Sequence, residues 1–319
     1  MERAASLGSV SARPLWLRLV GAQSVQGGRR ALWGYLFIGP WIIGLTVFVA
    51  GPILASFYLS LTNYDILSPP RWAGLGNYQR AIFEDPLFWP SLGRSIYYAV
   101  GVVPLALAGS LGLAILLNQG LKGTSLFRTF FFMPHLMPAV ALGIVWLWLL
   151  NPKLGAFNAL LRMVGVGEFP WMTDADTVIP SLILVSLWAS AGGSGMVIFL
   201  AGLQGVPKEL EEAALVDGAN IWQRFRNVTL PMITPTIFFN LVLGVIGALQ
   251  VFALAFVATQ GGPSYGSWFY TLHIYKQAFD YQRLGYGAAL AWLFLVLVLL
   301  LTLLNFAFSR RWVYYRGGS

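Results

Sequence analysis

The sequence predicts an all-α integral membrane protein with six transmembrane helices. Hydrophobic residues make up 57% of the chain and charged residues 10%, whereas soluble domains carry about a quarter charged residues. The mean hydropathy is +0.69. Asp, Glu, Lys and Arg are absent from six stretches, each of which can supply the ~20 apolar residues that a membrane-spanning helix needs: residues 31–64, 95–121, 129–152, 177–207, 227–275 and 284–309.

Each stretch predicts one helix, but the fifth is too long for a single span. Its Gly- and Pro-containing segment 261–266 is expected to divide it into a span and a polar loop. The predicted spans lie near 34–61, 95–118, 129–150, 178–203, 232–258 and 286–308.

The spacing of the charged residues also divides the chain into four parts. Residues 1–32 are rich in Ser, Gly, Ala and Arg and predict a basic, disordered cytoplasmic tail. Residues 33–93 hold the first helix and an outer loop, residues 94–308 hold the core of helices 2–6, and residues 309–319 form a second cytoplasmic tail.

The distribution of Lys and Arg predicts that both termini are cytoplasmic. Six spans place the termini on one side, and cytoplasmic loops are enriched in basic residues. With the termini inside, 13 of the 20 basic residues are cytoplasmic, and seven lie in outer loops, namely Arg71, Arg80, Arg94, Lys153, Arg162, Lys276 and Arg283. This bias accounts for the net charge of +8, so nucleic acid is not implied as a partner.

Several classes of function lack the residues that they need. The chain has no cysteine, which excludes disulfides, Cys-based zinc sites and thiol catalysis. It has no Gly-rich phosphate loop and no HExxH sequence, so we expect neither ATP binding of that kind nor an enzyme. No acid or base lies in mid-span apart from His135 near the start of the third span, whereas ion-coupled carriers place such groups there. We interpret His135 as a helix-end residue.

A polar segment between the fourth and fifth spans is the strongest functional signal. Its four carboxylates are Glu209, Glu211, Glu212 and Asp217. The three glutamates fall in the first turn of a predicted helix, where they favour its positive end. Asp217-Gly218 predicts a turn in which Gly218 takes positive φ, and residues 219–228 predict a second short helix. A solvated loop is the alternative, but the layout favours a docking element for a soluble partner.

This segment carries a resemblance to a known family. Glu212-Ala213-Ala214, Asp217-Gly218-Ala219 and then Leu230-Pro231, twelve residues after the glycine, resemble the coupling loop of permease subunits of ATP-binding-cassette (ABC) importers. Further motifs resemble the sugar-permease branch, the maltose- and glycerol-3-phosphate-type subunits; they are residues 128–134, 202–207, 250–252, 259–263 and 305–311. The resemblance covers about residues 33–315.

The resemblance implies a fold, partners and a location. It implies the type I importer transmembrane domain, with cytoplasmic coupling helices between helices 4 and 5, in a bacterial or archaeal plasma membrane. The implied partners are a second permease, an ABC ATPase dimer and an extracytoplasmic solute-binding protein, besides the lipid bilayer. No cofactor is expected on this chain, because ATP and Mg²⁺ would bind to the ATPase. The implied coupling residues are Glu212, Ala213, Ala214, Asp217, Gly218, Leu230 and Pro231.

A substrate path is predicted from the fourth and fifth spans. Neutral hydrogen-bonding groups and aromatic faces suit a sugar, and the candidates are Trp188, Ser190, Ser194 and Gln250. The small residues among 188–195 would allow either a local opening that lines a cavity or close helix packing. A path without fixed charges favours neutral sugars. The alternatives are an importer of another solute, such as glycerol 3-phosphate, an amino acid or a peptide, and a stand-alone secondary carrier.

Overall fold

The computed structural model describes residues 25–120 and 122–314 and is built almost entirely of helices. The predicted tail residues 1–24 and 315–319 lie outside the described residues. The chain divides into two compact units, with the boundary between Tyr58 and Leu59. The first unit contains α1 (Val25–Gly44), a π-helical segment (Leu45–Ala50) and most of α2 (Gly51–Ser60). Together these helices provide the first candidate span, Arg29–Ser60.

In the second unit, three more helical stretches are long and apolar enough to cross a membrane. They are α4 (Phe88–Leu117), the pair α13 (Thr234–Leu249) and α14 (Ala253–Ala258), and α16 (Leu284–Ser309). Together with the first candidate span, these elements correspond to the predicted spans 1, 2, 5 and 6. For these four spans, an uninterrupted run of apolar residues between charged residues was therefore enough to predict where the helix lies.

The third and fourth predicted spans are not continuous helices, and the predictions of 129–150 and 178–203 as single helices were wrong. In the third, α5 (Thr124–Phe132) runs through a 3₁₀ turn at Met133–Leu136 and meets α6 (Ala139–Leu149) at 93°. Pro138 causes this break, since the residue before it, Met137, is extended (φ −69°, ψ 131°). In the fourth, α8 (Val178–Ser190) and α9 (Ser194–Gln204) meet at 49°. The described residues thus hold four candidate spans, or six if each bent pair crosses as one.

The remaining elements are short. In the segments after the first, third and fifth predicted spans they are β1 (Thr62–Asn63), β2 (Arg71–Trp72), α3 (Gly76–Gln79), a π-helical segment (Arg80–Glu84), α7 (Ala156–Met163), α15 (Tyr270–Tyr275) and a π-helical segment (Lys276–Asp280). The strands pair antiparallel, with Thr62 opposite Trp72 and Asn63 opposite Arg71. Between the fourth and fifth spans lie α10 (Lys208–Val216), α11 (Ile221–Arg224), a π-helical segment (Phe225–Thr229) and α12 (Leu230–Met232).

The helix α4 is the centre of the second unit. It packs against α8, α9 and α13, and the Tyr98 hydroxyl shares a 2.6 Å hydrogen bond with Ser186 Oγ of α8. Two buried apolar clusters flank it. The larger includes Tyr98, Leu182, Leu249, Tyr270 and Leu290, and the smaller, nearer the segment that contains α10, includes Ala114, Met196, Phe199, Leu200 and Ile233.

A buried polar network connects three elements at the end of the bundle opposite the segment that contains α10. One carboxylate oxygen of Asp85, Oδ2, accepts hydrogen bonds from the Tyr286 hydroxyl at 2.5 Å and from His273 Nε2 at 2.9 Å. His273 Nδ1 accepts from Trp268 Nε1 at 3.1 Å, which fixes the neutral tautomer that donates through Nε2. Burial raises the pKa of Asp85, but the bonds from His273, Tyr286 and the Leu87 amide outweigh it and hold the pKa at about 2.

Candidate functional site

The helix α10 lies fully on the surface, in keeping with a docking role. None of its residues is buried, and Glu209 and Glu211 occupy its first turn. Glu212 and Ala213 are exposed, and Ala214 is half-buried. The segment 208–232, here called the coupling segment, thus presents carboxylates and small side chains to its surroundings.

The turn after α10 has the geometry that the Asp-Gly pair predicts. Gly218 has φ +77°, and two hydrogen bonds close the helix end, from the Ala219 amide to the Ala214 carbonyl at 2.9 Å and from the Gly218 amide to the Leu215 carbonyl at 3.1 Å. This pattern is a Schellman motif. A Cβ on Gly218 would meet nothing within 4 Å, so the backbone angle alone, rather than space, requires glycine.

The second half of the segment begins with a capping box. Asn220 Oδ1 accepts from the Gln223 amide at 2.9 Å, and Gln223 Oε1 accepts from the Asn220 amide at 2.8 Å. Helical structure then runs from Ile221 to Met232, so the predicted second helix at 219–228 starts two residues later and is longer. Leu230 and Pro231 are half-buried at its end. The two halves are therefore stiff pieces joined at residues 217–220.

An open groove of about 570 Å³ lies between the coupling segment and the end of α4. Glu211, Trp222 and Arg224 line it, and Glu211 Oε1 accepts from Thr229 Oγ1 at 3.4 Å, which links α10 to the π-helical segment. Arg224 Nε is buried without a hydrogen-bond partner. Trp222 is 66% exposed and lies 5.7 Å from the Phe225 ring. Glu211, which is not among the coupling residues that the resemblance implies, thus connects the two halves of the coupling segment.

A second cavity, of about 290 Å³, lies among α4, α13 and the break in the fourth span. The predicted path residues Ser190 and Ser194 both line it, on the two sides of the break. Trp188 and Gln250 are not part of the lining. Trp188 packs against Trp146, with the ring centres 5.6 Å apart, and Gln250 caps the C-terminal end of α13 and is exposed.

Three polar residues that the sequence did not single out as path residues complete the cavity: Ser110, His135 and Asn240. Asn240 is buried, and its Nδ2 donates to the Thr236 carbonyl at 3.1 Å. Ser190 Oγ is buried without a hydrogen-bond partner. The signal in the sequence that could have identified Asn240 is an amide within a long apolar run, because an amide in the bilayer interior needs hydrogen-bond partners.

The Gly/Ser stretch serves both of the roles that the sequence left open. A Cβ on Gly192 would lie 2.0 Å from the Phe131 carbonyl oxygen, and one on Gly193 would lie 2.7 Å from His135 Nδ1. The glycines therefore allow close packing against the third span, while Ser190 and Ser194 face the cavity. Among its described lining residues none is Asp, Glu, Lys or Arg, so the cavity suits a neutral, hydroxyl-rich solute.

Comparison with known proteins identifies relatives among membrane components of transport systems. A family model described as "Binding-protein-dependent transport system inner membrane component" matches residues 106–314. The chain is 42% identical over 288 residues to a probable ABC transporter permease protein of Bacillus subtilis, covering 89% of this chain and 92% of that protein. It is 32% identical to the trehalose/maltose transport system permease protein of Thermococcus litoralis, with 88% and 95% covered. It is also 32% identical to the lactose transport system permease protein of Rhizobium radiobacter, with 87% and 94% covered.

A solved structure shares the fold. The structure is that of a bacterial ABC transporter involved in the import of the acidic polysaccharide alginate, and it matches with a TM-score of 0.78 at 24% identity. The match covers 89% of this chain and 96% of that chain. The fold of this chain is thus one already seen in a solved ABC transporter structure.

Proposed function

The chain belongs to the family of binding-protein-dependent transport system inner membrane components, and we propose that it is the permease subunit of an ATP-driven importer for a sugar. The observation that carries this proposal is the exposed, doubly capped coupling segment between the fourth and fifth spans. Relatives named for trehalose/maltose and lactose transport support a carbohydrate as the solute, as does the neutral lining of the cavity.

The coupling segment docks in an ATPase subunit in this proposal. Glu212 is exposed and pairs with a basic group of the ATPase, whereas Ala213 and the half-buried Ala214 permit its surface to approach closely. Asp217 and Gly218 form the turn, and Leu230 and Pro231 join the segment to α13. Movement of the segment then switches the helix bundle between two arrangements.

The cavity at the break of the fourth span forms part of the solute path. Ser190 Oγ supplies an unpaired hydrogen-bonding atom there, which a sugar hydroxyl would satisfy, and the Asn240 amide lines the same cavity. ATP and Mg²⁺ bind to the ATPase dimer and not to this chain. A second permease completes the path, and an extracytoplasmic binding protein delivers the solute, with both termini of this chain in the cytoplasm.

The test is isolation of the complex through a tag on this chain. We expect the complex to contain a second permease and an ATPase, and reconstituted uptake of a sugar to require ATP and a binding protein. Deletion of residues 213–218 should abolish ATPase binding but leave membrane insertion intact. Uptake by this chain alone without ATP would contradict the proposal and favour a secondary carrier.

A further inference from the structure

A polar pocket lies at the end of the bundle opposite the coupling segment. The two ends are distinguished by hydrogen bonds: the Tyr314 amide, beyond the end of α16, donates to Thr234 Oγ1 beside the coupling segment at 2.9 Å, while the Gly285 amide, at the start of α16, donates to the Tyr64 carbonyl in the pocket wall at 3.0 Å. The pocket has a volume of about 470 Å³.

The lining of the pocket carries an excess of positive charge. Arg71, Arg80 and Arg283 line it, against the single carboxylate of Asp65. The three arginines are absent from the ion pairs between described residues, in which Arg162 joins Glu168 and Lys276 joins Asp280. Three guanidinium groups at one pocket therefore lack a matching set of anions within the described chain.

The walls of the pocket are fixed by hydrogen bonds. Asn77 is buried, and its Nδ2 donates to the carbonyls of Ser60 and Thr62, both at 2.9 Å. The Arg80 guanidinium lies over the ring of Tyr286, 4.9 Å from its centre, and Tyr286 is held in turn by Asp85. The Arg80 guanidinium and the pocket wall beside it are thus positioned before any ligand binds, which lowers the entropy cost of binding.

The pocket lies at the depth of the lipid headgroups. Arg283 directly precedes α16 and Tyr286 is in its first turn, while the first candidate span ends at Ser60, three residues before Asn63 of the lining. A helical turn covers about 5.4 Å, and the polar layer on each side of the hydrocarbon core is about 5–8 Å thick. Leu67 and Trp72 beside the pocket are 87% and 68% exposed, as expected of apolar and aromatic side chains at a membrane interface.

We propose that this pocket binds the phosphate group of an anionic phospholipid, with Arg71, Arg80 and Arg283 as its ligands. Guanidinium groups match a phosphate through paired N–H···O bonds, and a lipid phosphate is the oxyanion that is abundant at this depth. The site is independent of solute transport, since it requires only that the chain be embedded in the bilayer.

The test is lipid retention by the full chain within its detergent-extracted complex, measured by native mass spectrometry with phosphatidylglycerol and with phosphatidylcholine. We expect the wild type to retain phosphatidylglycerol preferentially. The double variant R80Q/R283Q should bind it about tenfold more weakly. R162Q, an arginine variant outside the pocket, is the matched control and should bind as the wild type does. Equal retention by the double variant and the control would overturn the proposal.

A second variant makes the pocket more positive and keeps all three arginines. Asp65→Asn keeps an oxygen that can accept from the Ser68 amide but removes the one anion of the lining, so it should tighten phosphatidylglycerol binding. Unchanged or weaker binding by this folded variant would count against the pocket. Displacement of the lipid by millimolar inorganic phosphate, or by the extracytoplasmic binding protein, would assign the arginines to a free anion or to an acidic protein surface and overturn the lipid proposal.

Discussion

At the scale of single residues, Gly218 is the position where backbone geometry alone dictates the side chain. Its φ of +77° costs an L-residue roughly 1–2 kcal/mol, and more for a β-branched one. We expect Gly218→Val to reduce ATPase co-purification and uptake severalfold. Gly218→Asn is the matched control, because Asn tolerates positive φ, and it should stay near wild type. Equal behaviour of the two variants would show that the turn does not need this conformation.

Asp85 is the residue for which the structure predicts a pH dependence. Its pKa is lowered from 3.8 to about 2, so the network stabilises the fold above about pH 4, and this stability is lost as the pH falls through 2. Asp85→Asn should lower thermal stability at neutral pH by an amount on the order of 1–2 kcal/mol, since an amide has one acceptor oxygen and cannot accept both from the Leu87 amide and from His273 and Tyr286. It should also remove this part of the acid sensitivity.

The control for Asp85→Asn is Glu168→Gln, which makes the same chemical change in the exposed pair with Arg162. Exposed pairs contribute little, so this variant should melt close to the wild type. Thermal unfolding of the complex at several pH values, followed by intrinsic fluorescence, measures both effects. A melting curve for Asp85→Asn that parallels the wild type between pH 4 and 2 would contradict the role assigned to this carboxylate.

At the scale of elements, the cap at Asn220 stabilises the start of the helical stretch that runs from Ile221 to Met232. Loss of an N-cap costs about 1 kcal/mol, which is a factor of about five in an equilibrium constant. Asn220→Ala should therefore speed amide exchange of residues 221–229 about fivefold, while Asn220→Ser, which can still cap, should leave it nearly unchanged. Amide hydrogen exchange measured by mass spectrometry tests this prediction. Equal exchange rates in the two variants would show that the cap does not stabilise the helix.

The sequence predicted the elements where a local cause acts, and it failed where the cause is a tertiary contact. Charge boundaries placed the first, second, fifth and sixth spans, and the Asp-Gly pair placed the turn at Gly218. At Gly192–Gly193, where α8 and α9 meet at 49°, the small residues predicted a local opening or close packing, but not the neighbours, the Phe131 carbonyl and the His135 ring, which come from a distant part of the chain. The 93° bend could have been foreseen in part, because Pro138 disfavours helix in Met137.

At the scale of the whole molecule, the coupling segment and the cavity lie in different parts of the bundle, so their variants should fail in different assays. Asn240→Ala removes a polar group of the cavity and should lower sugar uptake several-fold, with ATPase binding unchanged. Gln250→Ala is its control: although the sequence proposed Gln250 for the path, it does not line the cavity, and we expect nearly normal uptake. Normal uptake by Asn240→Ala together with loss in Gln250→Ala would relocate the path.

The candidate site could be predicted from sequence where its residues are neighbours along the chain. The coupling segment is one stretch of 25 residues, and its exposure, turn and capped halves follow from the order of its residues. The cavity is assembled from helices distant in sequence. The sequence therefore predicted four lining residues, of which Ser190 and Ser194 line the cavity and Trp188 and Gln250 do not. Only the fold brings Ser110 and Asn240 beside them.

The break in the fourth span has a mechanical consequence. The helix α9 carries 11 residues from the cavity wall at Ser194 to Gln204, a length of about 16 Å, and only Gly205–Pro207 separate it from α10. It can act as a lever whose pivot is Gly192–Gly193. A rotation of about 10° at that pivot would displace the far end by about 3 Å over this length, so a small rearrangement at the cavity would be enlarged at α10, where we propose that the ATPase binds.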